Sequence, residues 1–262
     1  MTSEVAAVTA DDHLLAGRLA EGAGRLLVAL RDDMVAEGAP RWAIEDEGDR
    51  QAHRWIADEL AAARRDDALL SEEGADGPAR LRSSRVWIVD PLDGTREYGE
   101  HPRVDWAVHV ALAVDGIPLV GAVSLPAQGL VFSTDSAGAL PPPTDGGPTF
   151  VVSRSRPPAV ARAVAEQLGG RLLPMGSAGA KAMAVVRGLA DVYLHAGGQY
   201  EWDSCAPAAV AAAAGLHTSR VDGSPLRYNR ADPWLPDLLI CRPELAAPVL
   251  DAVGAWGGMR WS

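Results

Sequence analysis

RVWIVDPLDGTREYG, residues 85–99, joins a strand to a cluster of acids. Val86, Trp87, Ile88 and Val89 form an apolar run that reads as a buried strand leading into Asp90. Within six positions the chain then places Asp90, Pro91, Asp93, Gly94 and Thr95. Asp-Gly after an apolar run is a turn signal, and Pro91 suits a turn too. The aspartates are either parts of that turn or ligands held by it. The choice depends on whether other carboxylates along the chain converge on them.

Upstream, residues 11–31 read as a helix with Leu15, Leu19, Leu26 and Leu30 near one face and Asp11 or Asp12 as its cap. Residues 32–48 are polar and acidic and read as a loop. Residues 50–64 repeat the helical pattern through Ala52, Trp55, Ile56 and Leu60, with Asp49 at the N-cap. A short strand, 68–70, ends at Ser71-Glu72-Glu73-Gly74. Downstream, Val108, Val110, Leu112 and Val114 alternate as in a strand, and 118–124 and 130–134 add two more. The pattern predicts an antiparallel sheet with two helices on one face. The Gly- and Pro-rich stretch 136–150 marks a boundary between an α+β sub-domain, 1–147, and an α/β sub-domain, 148–262. The second part alternates strand 151–153, helix 157–168, segment 181–188, strand 190–195, an alanine-rich helix and strand 238–241.

The bulk properties limit the function. A chain of 262 residues, 48% hydrophobic, suits one large domain or two sub-domains sharing a core. Its net charge of −11 argues against a nucleic acid polymer as partner, since phosphate backbones ask for a basic face. No apolar run is long enough for a bilayer, and the first twelve residues lack the pattern of a signal peptide. Two cysteines make no disulfide framework and fit a reducing, cytoplasmic setting. An acidic protein that handles phosphate needs metal ions or a locally basic pocket. There is a single lysine, Lys181, among many arginines. It is either a chance survivor or a position that needs a compact ammonium.

Further acids stand where strands end or helices begin. Glu72 and Glu73 follow the strand at 68–70, Asp203 precedes the alanine-rich helix, and Asp49 opens the second helix. Taken singly, Asp49 and Asp203 are equally well N-caps, and Glu72 and Glu73 a solvated pair. Taken together with Asp90 and Asp93, they form a set of hard oxygen donors at one sheet edge. That chemistry suits Mg²⁺ rather than Zn²⁺. Pro91 stiffens the turn so that the Leu92 carbonyl faces the same way. Gly94 and Thr95 open a helix whose free N–H groups favour a phosphate. Such a site suits in-line displacement at phosphorus with two or more metals.

"DPLDGT" at 90–95, "SEE" at 71–73, "WDS" at 202–204 and "GSAGAKAM" at 176–183 occur in order, and together they resemble the inositol monophosphatase superfamily. The resemblance covers nearly the whole chain and implies a layered αβαβα sandwich. It also implies a magnesium-dependent, lithium-sensitive phosphomonoesterase, usually a homodimer. Carried over, it makes Glu72, Asp90, the Leu92 carbonyl, Asp93 and Asp203 the ligands of two to three Mg²⁺ ions. Asp49 and Thr95, with Glu72, would activate the attacking water. Asp93, Gly94, Thr95, Arg96, Ser177, Lys181, His195 and Asp203 would contact substrate. The acidic stretch 32–48 matches the mobile loop of the superfamily.

"DGTREY", "LLSEE" and "GSPLRYN" look more like the 3′(2′),5′-bisphosphate nucleotidase branch than the inositol branch. That branch implies a small nucleotide bisphosphate, 3′-phosphoadenosine 5′-phosphate, as substrate, with loss of its 3′-phosphate in sulfate assimilation. 3′-Phosphoadenylyl sulfate is a second substrate by the same resemblance. His195 falls about where inositol enzymes carry a sugar-gripping Glu, and it is either structural or part of the pocket. An inositol-phosphate or fructose-bisphosphate phosphatase of the same chemistry is the alternative. A catalytically silent binder of metal and nucleotide is a third reading, and the complete ligand set argues against it.

Overall fold

A computed structural model describes residues 8–75, 77–143 and 146–256. Two long helices, α1 (Ala10–Ala36) and α2 (Arg41–Ala63), precede β1 (Ala68–Ser71) and β2 (Arg85–Asp93). A one-turn helix, α3 (Thr95–Gly99), leads to β3 (Ala107–Val114), β4 (Ile117–Leu125) and β5 (Leu130–Ser133). The second half alternates β6 (Thr149–Ser153), α4 (Ala159–Gln167), β7 (Arg171–Met175), α5 (Ala178–Val186), β8 (Val192–Tyr200) and α6 (Glu201–Ala213). It ends with β9 (His217–Ser219), β10 (Trp234–Cys241) and α7 (Ala246–Ala255).

The strands form two five-stranded sheets, ordered β1-β2-β3-β4-β5 and β7-β6-β8-β10-β9. Helices α1 and α2 cover the outer face of the first sheet, α5 and α6 lie between the sheets, and α4 and α7 cover the outer face of the second. The result is an αβαβα sandwich, as the resemblance implies.

Strand β3 shows why the layers stack this way. Val108, Val110, Leu112 and Val114 face α1 and α2 and pack with Leu15, Leu19, Leu27, Ile56 and Leu60. Each such buried leucine contributes about 2 kcal/mol. The opposite face carries Ala107, Ala111 and Ala113, packed with Met183, Ala206 and Val210 from the middle helices. Small side chains on β3 and on the alanine-rich α6 let helix and sheet approach closely. His109 is the exception on this small face, and it is fully buried.

Several expectations are corrected. The predicted loop 32–48 is helical except at 37–40. Its apolar stripe is thin, with Ile44 and Gly48 buried, while Arg41 and Glu45 form an i,i+4 pair at 2.7 Å. Polar residues paired along a helix face imitate a loop in sequence. Asp49 therefore stands inside α2 and does not cap it; Pro40 precedes the first turn. Asp203 does cap, but from within the first turn of α6, accepting the Tyr200 N–H at 2.6 Å. Asp12 acts likewise in α1, accepting the Thr9 N–H at 2.9 Å.

The first sheet is not wholly antiparallel, since β1 runs parallel to β2. The chain between them, 72–84, is long enough for the crossover that parallel pairing requires. Strand β7 escaped the sequence reading because Pro174 interrupts it. It is an edge strand, where proline is tolerated. Strand 190–195 continues to Tyr200, and β9 and α7 were not anticipated. No helix among the described residues is long and apolar enough to cross a membrane.

Candidate active site

Side chains alternate along a strand, so Asp90 and Asp93, three apart, would face opposite ways in a regular one. Here β2 is bulged. Asp90 pairs with His109 and Asp93 with Ala107, so Pro91 and Leu92 together oppose Val108. The extra residue resets the alternation, and both carboxylates turn to one side. Asp203 joins them from the first turn of α6, and ligand atoms of the three aspartates lie within 4.8 Å of one another. The parallel register pairs Ser71 with Val89, which brings Glu72, one residue on, level with Asp90.

Asp93 is held by the N-terminus of α5. Its carboxylate accepts the Ala178 N–H at 3.1 Å, the Gly179 N–H at 2.7 Å and the Ser177 hydroxyl. Ser177 also accepts the Ala180 N–H at 2.9 Å, and it adopts φ +52°, a strained conformation for a residue with a side chain. On the other side, His109 Nε2 lies 3.2 Å from Asp93 Oδ2, an ion-pair contact without the alignment of a hydrogen bond. Burial alone would raise the Asp93 pKa. His109, Lys181 and Ser177 outweigh it and hold the carboxyl well below its ordinary value.

The other carboxylates go the opposite way. Burial, with the charges of Glu72, Asp93 and Asp203, pushes Asp90 well above its ordinary value. Glu72 is raised to about 7 by desolvation of its carboxyl and by Asp203, Glu73 and Asp93. Asp203 is raised to about 6, by burial and then by Asp93.

Asp49 projects from α2 toward the same edge. Its Oδ1 lies 3.4 Å from the Thr95 hydroxyl, which also donates to the Leu92 carbonyl at 3.2 Å. Burial, then Glu73 and Glu72, raise Asp49 to about 8. Gly94, just before Thr95, has φ +88°, a left-handed turn that favours glycine and swings the chain from β2 into α3.

A cavity of about 770 Å³ opens beside the carboxylates and is lined by Asp93, Gly94, Arg96, Ser177, Lys181, His195 and Asp203, among others. The predicted substrate set thus shares one cavity, except Thr95, which lies outside its lining and against Asp49. Lys181 is buried; its ammonium donates to the Ser177 carbonyl and lies 5.4 Å from the centre of the Tyr193 ring. Burial lowers its pKa, against the pull of Asp93 and Asp203. His195 Nε2 bonds the Gly198 carbonyl at 3.0 Å, and burial pushes its pKa down to about 4, so the ring is neutral. Glu201 stays outside the cavity lining: fully buried, it accepts the N–H groups of Asn229 and Arg230.

A model described as the inositol monophosphatase family matches residues 35–249. The chain belongs to the inositol monophosphatase family. It is 51% identical over 243 residues to the 3′-phosphoadenosine 5′-phosphate phosphatase of Mycobacterium bovis, covering 89% of this chain and 90% of that one. It is 33% identical over 236 residues to the 3′(2′),5′-bisphosphate nucleotidase CysQ of Shigella flexneri, covering 83% and 94%. In fold it is similar to inositol monophosphatase II of Staphylococcus aureus, with a TM-score of 0.77 at 17% identity and coverage of 94% and 97%.

The site of this family member fits a divalent cation. Its clustered donors are carboxylate oxygens, the hard ligands such ions prefer. The raised Asp90, Glu72 and Asp203 also mark an excess of negative charge at one point. Sequence reasoning missed His109, Arg154 and Arg156. The histidine had a signal, as one bulky polar residue among alanines on the inner face of β3. The arginines had none, because Arg154 and Arg156 reach the cavity from the loop after β6, far from any motif used.

Proposed function

We propose that this chain is a Mg²⁺-dependent phosphomonoesterase that removes the 3′-phosphate of 3′-phosphoadenosine 5′-phosphate, and of 3′-phosphoadenylyl sulfate, leaving AMP or adenylyl sulfate. The observation that carries the reading is the Asp49–Thr95–Leu92 chain of contacts set beside the Asp90, Asp93 and Asp203 cluster at one end of a basic-walled cavity. Glu72, Asp90, the Leu92 carbonyl, Asp93 and Asp203 would hold two to three ions. Bound there, the ions supply charge neutralisation for the phosphoryl group and acidify the attacking water.

The protein's own groups do the rest. Asp49 lies 3.4 Å from the Thr95 hydroxyl, and cations held by Glu72 would offset part of the charge that raises its pKa, leaving a carboxylate free to act as general base. It takes the water proton, and Thr95, bonded to the Leu92 carbonyl, fixes the direction of that transfer. The N–H groups of Gly94 and Thr95 orient the scissile phosphate. Lys181, close to the fields of Asp93 and Asp203, serves the same end of the cavity.

The second phosphate needs its own cations. Arg154 is engaged by Glu97 at 2.6 Å and Glu100 at 2.7 Å. Arg96 and Arg156 are exposed on the cavity wall and are suited to meet it, with His195 as a neutral hydrogen-bonding partner. The same reading extends to lithium sensitivity, a homodimer and a cytoplasmic setting. The last agrees with two buried cysteines that stay free.

Phosphate release from a panel of 3′-phosphoadenosine 5′-phosphate, 3′-AMP, inositol 1-phosphate and fructose 1,6-bisphosphate tests it. The bisphosphate nucleotide should have the highest kcat/KM. Arg156→Ala should lower its kcat/KM about tenfold to a hundredfold, through KM, and leave 3′-AMP unchanged, since a charge-assisted contact contributes about 1.5–3 kcal/mol. Equal rates across the panel, or preference for inositol 1-phosphate, would overturn the substrate assignment.

A further inference from the structure

His109 is fully buried beside Asp93 and Asp90 and against the backbone of the residue before Asp203. It stands opposite Asp90 in the β2–β3 register, with Nδ1 4.0 Å from Asp90 Oδ2. Its Nε2 is 3.2 Å from Asp93 Oδ2. Its Nδ1 lies 3.1 Å from the carbonyl oxygen of Trp202, the residue before Asp203. A carbonyl only accepts, so Nδ1 carries a proton and donates it there. The ring thus connects the end of β2 to the start of α6, two elements far apart in sequence that supply Asp93 and Asp203.

The surroundings are built around the ring. A Cβ on Gly179 would lie 2.0 Å from His109 Nε2, so the helix that binds Asp93 leaves room for an imidazole at that point and for nothing more. Asp93 Oδ2 is surrounded by the Ser177 hydroxyl, the Gly179 N–H and this ring, whereas Oδ1 accepts only from Ala178 among these neighbours. The carboxylate is therefore fixed through one oxygen, and acceptor capacity is left on the other.

We infer that His109 is a positioning residue, a buried bracket that sets the spacing and orientation of Asp93 relative to Asp203 and thereby the affinity of the site for its divalent cation. The inference rests on the metal-site reading above. Groups that orient metal ligands from behind generally tune affinity by about tenfold to a hundredfold when removed.

The test is calorimetric titration of Mg²⁺ into metal-free protein, together with thermal unfolding of the same samples. His109→Leu removes both nitrogens at similar volume, His109→Gln keeps a polar group near the Nε2 position, and His109→Asn keeps one near Nδ1. His109→Leu should weaken Mg²⁺ binding by tenfold or more, and the two polar variants should fall between it and the wild type. The rise in Tm that Mg²⁺ gives should shrink in the same order. If His109→Leu does not unfold cooperatively, His109→Gln and His109→Asn carry the comparison. Unaltered Mg²⁺ affinity in folded variants would overturn the bracket alone. So would affinity losses that follow the drop in metal-free Tm rather than the nitrogens retained. A wild-type protein that binds no Mg²⁺ would overturn the metal-site reading and the bracket with it.

Discussion

Asp49 shows how one residue changes meaning between sequence and structure. An aspartate at the N-cap of a helix is replaced well by asparagine. An aspartate inside α2, 3.4 Å from the Thr95 hydroxyl and raised to about 8, is not. Asp49→Asn is therefore expected to cut turnover by about two to four powers of ten, the usual scale of general base catalysis. The fold should persist, because the amide keeps the volume and relieves repulsion from Glu73 and Glu72. Steady-state phosphate release beside a thermal melt checks both halves, and an active variant would return Asp49 to a structural role. Asp93 differs in kind: four neighbours hold its carboxylate, so its orientation belongs to the fold as much as to a ligand.

At the scale of elements, the outer helices are tied to the sheet by a buried acid. Asp12 near the start of α1 accepts from Arg64 at the end of α2 and from Arg85 at the start of β2, each at 2.9 Å. Arg85 in turn meets Asp67 at 2.8 Å. Burial works against the Asp12 carboxylate, but the Thr9 N–H and the two arginines bring its pKa below the ordinary value. Asp12→Ala should lower stability by about 2 kcal/mol, the scale of hydrogen bonds to a charged group. Urea unfolding measures this as a shift of midpoint at constant slope. The aspartate cluster lies at the other end of β2, so kcat of the folded variant should stay near wild type. A large fall in kcat would show that the outer helices reach the site more directly than through β2.

For the whole molecule, the carboxylate cluster is a cost when no cation is bound. An acid whose pKa is higher folded than unfolded binds more protons in the folded state between the two values, so stability falls as pH rises through that interval. The intervals run from 3.8 to about 8 for Asp49, from 4.5 to about 7 for Glu72 and from 3.8 to about 6 for Asp203. His195, lowered from 6.5 to about 4, acts in the opposite sense below 6.5. The window in which the carboxylates dominate is therefore about pH 6.5–8. The metal-free Tm should fall across it, Asp49→Asn should flatten the fall, and saturating Mg²⁺ should raise the Tm most at the alkaline end. Melting curves at several pH values, with and without Mg²⁺, test this. A metal-free Tm that rises over the window would mean that the cluster is already balanced by the protein's own cations.

The layered fold and the family were legible because both rest on local signals. The alternation of Val108, Val110, Leu112 and Val114 marks a half-sheet face, the leucines of α1 mark its cover, and the ordered acidic motifs name the metal-site candidates. The path of α1 and α2 through 32–48 was not legible, because a helix with a thin apolar stripe differs from a loop only through pairs such as Arg41–Glu45 and contacts with the rest of the chain. The convergence of Asp90 and Asp93 was proposed from sequence, but its cause, the two-against-one bulge opposite Val108, needs the partner strand. Lys181 was legible as unusual, and its place at the Ser177 carbonyl and the Tyr193 ring was not. His109, Arg154 and Arg156 needed tertiary structure outright, since they reach the site across sheet pairing and from the second sheet. Periodicity and motifs report what a residue's neighbours in sequence require of it. The spacing of charges in a site is set by register and by layer packing, and these exist only once distant segments have met.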